Sequence, residues 1–190
     1  RALTGTAMLG AVAAVLMYLE FPIPIMPAFV KLDVSELPAL IASFAYGPVS
    51  GVLVCLIKNL IKLPSTSTAA VGELFNFVMG ALFVGVAGIV YKRNKTRKGA
   101  IVGALLGALV MAVVSVPYNY FIVYPAYVVM YHLPLEAIIG MYQAINPSVD
   151  GLLTCLLVFN LPFTFVKGVL DAVLCFLIYK PLSPILHGRK

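Results

Sequence analysis

The chain has 190 residues, of which 62% are hydrophobic and only 11% charged, with a mean hydropathy of +1.05. Soluble domains are about half apolar and about a quarter charged, so a water-soluble enzyme or binding module is excluded and an integral membrane protein is indicated. The net charge of +6 does not point to nucleic acid, because the basic residues cluster between and beyond apolar stretches: Lys92, Arg93, Lys95, Arg97 and Lys98 in one run, Lys180, Arg189 and Lys190 near the end, and Arg1 at the start. That is the positive-inside pattern. It places both termini and the loop 92–98 in the cytoplasm, which requires an even number of spans. Glu20, Asp33, Glu36, Glu73, Glu136 and Asp150 then fall in or beside outer segments. A span needs about 20 residues, which leaves room for six helices in one domain, 1–190, with no soluble domain.

Span 1 is predicted over residues 2–19. It has no small-residue cleavage site after it and reads as a span, not a signal peptide. The next stretch, EFPIPIMPAFVKLD, carries Pro22, Pro24 and Pro27, which forbid helix and favour extended backbone. Span 2 is predicted from Asp33, with Asp33 and Glu36 at capping-box spacing, to YGP at 46–48. About a dozen residues reach only ~18–20 Å, short of the ~30 Å hydrocarbon core. The loop before this helix must therefore dip inward, where protein or a cavity has to cover its backbone.

Span 3 is predicted from Pro48 to Leu63 and carries Lys58, Asn59 and Lys62. Span 4 runs from Val71 to Tyr91, with Glu73 and Asn76 in its first turns. Span 5 runs from Gly99 to Tyr124, with Gly at 99, 103 and 107 and Ala at 100, 104, 108 and 112, a stripe that permits close helix packing in lipid. The outer connection, 125–160, contains LPLEAIIGMYQAI, read as a helix lying at the interface. Span 6 is predicted from Leu161 to Tyr179.

Span 6 holds Lys167 and Asp171, four residues apart and on one face. A charge within a bilayer costs between ~2.5 and ~17 kcal/mol depending on the method, so these groups require partners. Lys167 lies six residues from the outer end of its span, roughly 9 Å deep. Asn119 lies near the outer end of span 5. Lys31, Asp33, Lys58, Asn59, Lys62, Glu73 and Asn76 occupy the same half of the bilayer. Polar groups from four helices thus converge on one level, favouring a pocket over several unrelated pairs. Phe29, Phe75, Phe77, Tyr118, Tyr120, Phe121, Tyr124, Tyr127, Phe163 and Phe165 share that level. Together they suit a flat, partly apolar ligand with polar edges.

No GxxxxGK[ST], HExxH or GxSxG motif is present. Neither a nucleophile–base pair nor a metal-ligand cluster is apparent: His132 and His187 are far apart, and Cys55, Cys155 and Cys175 read as small hydrophobes in packed helices. No enzyme and no cofactor are expected. An outer cavity without an energy source implies a partner.

The pattern FPIP, LDVSELP, GPVSG and KNL, followed by NF at Asn76, NYF at 119–121 and PFTFVKG at 162–168, resembles the S components of energy-coupling-factor vitamin transporters, above all those for riboflavin. The resemblance covers almost the whole chain. It implies six helices, an outer capping loop between the first two, and high-affinity vitamin binding in a multi-pass protein of the bacterial cytoplasmic membrane. It also implies a transmembrane T component and two cytoplasmic ATPases as partners, with riboflavin, or also FMN, as transported ligand. Residue by residue, Asn119 and Lys167 match positions that hydrogen-bond the isoalloxazine ring or its surroundings. Leu32 and Asp33 belong to the capping loop. Thr164 stands where a riboflavin-type relative has Asn. Asp171 matches no family binding position; one turn deeper than Lys167, it is expected to hold that ammonium in place or to reach the ribityl hydroxyls. Ala7 and Ala11 fit the AxxxA feature that docks on the T component. The rival readings are an S component for another vitamin and a stand-alone proton-coupled transporter using Lys167, Asp171 and Glu73 as a relay.

Overall fold

The computed structural model describes residues 1–27 and 31–187; Phe29, Arg189 and Lys190 lie outside them. Its helices are α1 (Ala2–Tyr18), α2 (Glu36–Tyr46), α3 (Pro48–Lys62), α4 (Val71–Arg93), α5 (Arg97–Tyr118), α6 (Tyr124–Tyr131), α7 (Leu135–Gln143), α8 (Leu152–Cys155) and α9 (Leu161–His187). Among the described residues, four continuous helical stretches are long and apolar enough to cross a membrane: Pro48–Ser65, Val71–Arg93, Arg97–Tyr131 and Leu152–Leu182. At 17 and 11 residues, α1 and α2 are shorter. The proteins' usual inside-out logic holds only in part, since the outward faces carry Leu, Val, Ile and Phe, as lipid contact requires.

Close packing follows from glycine and alanine. Gly103, Ala104, Gly107 and Ala108 on α5 are all buried. A Cβ added at Gly103 would stand 2.7 Å from the Ala87 carbonyl oxygen of α4, and one at Gly168 of α9 would stand 2.8 Å from Ala108 Cβ. Helix α5 is thus pressed between α4 and α9. Thr96 caps it, accepting from Gly99 N–H at 3.0 Å.

Several boundaries differ from expectation. The stretch predicted as span 5 does not stop at Tyr124. It passes through a π-helical turn, Asn119–Val123, and ends at Tyr131. The last one begins at Leu152, not Leu161, and also contains a π turn, Leu156–Asn160. Both extensions are apolar enough to remain helical, so the outer connection shrinks and holds α7, the expected separate helix. The proline-rich loop forms a small antiparallel pairing, β1 (Phe21–Pro22) with β2 (Lys31–Leu32), in the register Phe21–Leu32 and Pro22–Lys31. Helix α2 starts at Glu36 instead of Asp33, and no side-chain cap forms there. Asp33 Oδ1 instead accepts from Ser35 N–H at 2.9 Å and from Ser35 Oγ–H at 2.7 Å, an Asx-type turn that leaves Glu36 free for other partners.

Candidate functional site

The first loop and the ends of α3, α4, α5 and α9 surround a cavity of about 190 Å³. Its charged side is built by the short second helix. Glu36, at the first position of α2, reaches two lysines. Lys58 of α3 donates to Glu36 Oε1 at 2.8 Å and to Ser35 Oγ at 2.6 Å. Lys167 of α9 lies 3.2 Å from Glu36 Oε2 and 3.5 Å from Asp33 Oδ1. Asp33 Oδ1 accepts both bonds from Ser35 as well, so one carboxylate serves the turn before α2 and Lys167 together. Buried pairs of this kind contribute little net stability; what they supply is position. They aim the Lys167 ammonium into the cavity with its charge already balanced.

At the mouth, Glu20 Oε1 receives Lys62 at 2.8 Å and Lys31 at 3.2 Å, and Lys62 also donates to the Met17 carbonyl at 3.3 Å. Opposite, Glu73 Oε2 accepts from Thr66 Oγ1 at 2.7 Å and Thr68 Oγ1 at 2.9 Å. This holds a turn in which Ala69 and Ala70 have φ of 50° and 69°, strained values for residues with a Cβ. Tyr131 Oη donates to the Ser67 carbonyl at 2.9 Å from the far side. The inner wall carries Asn76, Asn119, Asn160 and Thr164, with Phe75, Tyr124, Tyr127, Phe163, Met79 and Met111 between them. Few polar groups in an otherwise apolar lining are what a small-molecule site shows.

Of the residues expected there, Asp33, Glu73, Asn76, Asn119, Thr164 and Lys167 line the cavity. The remaining five, Leu32, Lys58, Asn59, Tyr120 and Asp171, do not line it. Leu32 lies in the pairing of the first loop and its neighbours Lys31 and Asp33 face the cavity in its place. Lys58 is fully buried behind the wall, because Glu36 and Ser35 draw it inward. Asn59 is turned back on its own helix, donating to the Cys55 carbonyl at 2.7 Å, and reaches Asn76 at 3.4 Å. Tyr120, 39% exposed, lies in a separate apolar groove beside Phe121 and Pro125, on the outside of the π turn. Asp171 does not hold Lys167: its carboxylate is 1% exposed and neither oxygen has a hydrogen-bond partner among the described residues. The lysine leans across to the first loop and α2 instead.

Glu20, Ser67, Thr68 and Asn160 line the cavity and were not foreseen as site residues. For Asn160 a signal existed. It precedes Thr164 by four and Lys167 by seven, so all three fall on one helical stripe. Ala7 and Ala11 are exposed on α1, while Ala13 and Ala14 are buried; the Ala7–Ala11 stripe is not consumed by packing within the chain.

A family profile described as ECF transporter, substrate-specific component, matches residues 1–179. The chain belongs to the substrate-specific components of ECF transporters. It is therefore a multi-pass membrane transport subunit and not an enzyme. This substrate-specific component is 32% identical over 180 residues to the "Riboflavin transporter RibU" of Staphylococcus aureus (strain TCH60), covering 95% of this chain and 89% of the relative. It is 34% identical over 193 residues to the "Riboflavin transporter FmnP" of Bacillus subtilis (strain 168), covering 100% and 96%. A solved structure described as "Structure and mechanism of the S component of a bacterial ECF transporter" superposes with a TM-score of 0.75 at 32% identity, covering 97% of this chain and 96% of that one.

Proposed function

We propose that this chain is the riboflavin-binding subunit of an ECF importer, a single membrane domain of six helices with both termini cytoplasmic and the cavity open to the outside. The observation that carries the reading is the cavity itself: an ion-paired ammonium, Lys167, and three amides, Asn76, Asn119 and Asn160, set among aromatic and methionine walls, in a chain similar along its length to proteins named riboflavin transporters. An isoalloxazine ring system offers a flat apolar body and a carbonyl-rich edge. In this reading Lys167 and Asn119 donate to that edge, and Phe75, Tyr127 and Phe163 cover the ring. At about 190 Å³ the cavity is smaller than the ~300–1,000 Å³ of typical ligand sites.

The subunit has no ATP-binding motif of the GxxxxGK[ST] type. Delivery to the cytoplasm falls to a transmembrane T component and two ATPases, with the exposed Ala7–Ala11 stripe of α1 as the docking face. The test is a titration of the purified chain with riboflavin, and with FMN and an unrelated vitamin alongside. One riboflavin per chain with quenched flavin fluorescence is expected. No quenching and no heat with riboflavin would refute the reading, and tight binding of the other vitamin would reassign the ligand.

A further inference from the structure

Three side chains from three elements meet at the outer end of the cavity. Tyr124 opens α6 directly after one π turn, Asn160 closes the other π turn, and Tyr142 comes from α7. Tyr142 is 0% exposed and is not among the residues that line the cavity, whereas Tyr124 and Asn160 are. Tyr142 Oη donates to Asn160 Oδ1 at 2.7 Å, and the two tyrosine hydroxyls are hydrogen-bonded to each other. The Asn160 Nδ2 group donates to Tyr124 Oη at 3.5 Å, a long contact by ordinary N–H···O standards.

The bonding pattern has a direction. A phenol carries one proton. Tyr142 gives its proton to the asparagine oxygen, so the bond between the two hydroxyls is donated by Tyr124. The amide oxygen is thereby occupied from behind. Asn160 lines the cavity, and its NH₂ group makes only the long contact to Tyr124, which leaves it donor capacity for a ligand. Phe159 packs against the Tyr142 ring, centroids 5.3 Å apart, and Ile138, Val149, Leu152, Cys155 and Leu156 complete an apolar surround. On that side the surround is apolar, so the hydroxyl of Tyr142 is the partner that holds the amide oxygen.

We infer that Asn160 is a specificity-determining donor for a hydrogen-bond acceptor on the ligand, and that Tyr142 is a positioning residue that fixes the orientation of the Asn160 amide. This rests on the functional reading above and assigns a role to α7. The outer helix reads the ligand through Asn160 without touching it.

The test is a double-mutant cycle on riboflavin affinity, measured by fluorescence quenching, with melting temperatures recorded for every variant. Tyr142→Phe keeps the ring and deletes only the proton; it should weaken binding about three- to tenfold, the span of a single hydrogen bond. Asn160→Ala should weaken it at least as much. In the Asn160→Ala background, Tyr142→Phe should have no further effect on affinity, even if both changes lower the melting temperature additively. Asn160→Asp, which replaces the donor edge by an acceptor, should bind less well than Asn160→Ala. Wild-type affinity in Tyr142→Phe, or full additivity of the two affinity losses, would overturn the inference while leaving riboflavin as the ligand. Absence of binding by the wild-type chain would instead refute the functional reading and this role with it.

Discussion

Lys167 of α9 and Glu36 of α2 are 3.2 Å apart, although Asp171 stands one helical turn from Lys167 on the same face. The lysine takes its counter-charge from across the molecule. This ties the last helix to the segment where the first loop enters α2, so the geometry of the ammonium depends on a loop that lines the cavity. Lys167→Ala is expected to weaken riboflavin binding by about 1.5–3 kcal/mol, the range for a hydrogen bond to a charged group. Isothermal titration on a folded, monodisperse sample measures it. Unchanged affinity would make Lys167 a structural counter-ion only.

Asp171 and Glu36 should differ sharply in what their substitution costs. Asp33, Glu36 and Asp171 place three carboxyl groups near two ammoniums, Lys58 and Lys167, and among the described residues Asp33 and Glu36 form the pairs. Asp171→Asn exchanges one buried side chain without a hydrogen-bond partner among the described residues for another of the same shape. Stability should hold within about 1 kcal/mol. Glu36→Gln strips the carboxylate shared by both lysines and should cost about 3–5 kcal/mol. Thermal unfolding in detergent compares them. Strong destabilisation by Asp171→Asn would show that this carboxylate does serve one of the lysines.

Two glycines predict opposite signs. Gly103→Val drives a side chain into the Ala87 carbonyl, where even a Cβ would be 2.7 Å away, while a Cβ at Gly85 meets only Val52 Cγ2 at 3.9 Å. Gly103→Val should destabilise by about 1–3 kcal/mol through overpacking. Gly85→Ala should be neutral or stabilise by up to about 1 kcal/mol through helix propensity. Melting curves decide; tolerance of Gly103→Val would mean that α4 and α5 are not pressed together in the membrane.

Assembly should separate from binding at α1. Ala7 and Ala11 are exposed, so Ala7→Trp or Ala11→Trp leaves the internal packing intact. Each variant should retain riboflavin affinity but lose co-purification with the T component and ATP-dependent uptake in vesicles. Full uptake by either variant would put the docking face elsewhere, and loss of ligand binding would implicate internal packing.

Composition and spacing alone determined that this is a small helical membrane protein, where its basic loop lies, that α2 is too short to span, and that Asn76, Asn119, Thr164 and Lys167 share a level. Those properties are local: hydropathy, proline, and a rise of about 1.5 Å per residue. Tertiary structure decided who pairs with whom. Lys167 and Asp171 are neighbours by helical spacing, yet the lysine lowers its burial cost against Asp33 and Glu36, which no periodicity connects to it. The same holds for Lys58, whose depth was readable and whose direction was not. The two π turns were invisible in sequence because an inserted residue leaves the apolar pattern intact while rotating the residues that follow it. That rotation separates Tyr124 and Asn160, which line the cavity, from Tyr120, which faces an apolar groove outside it.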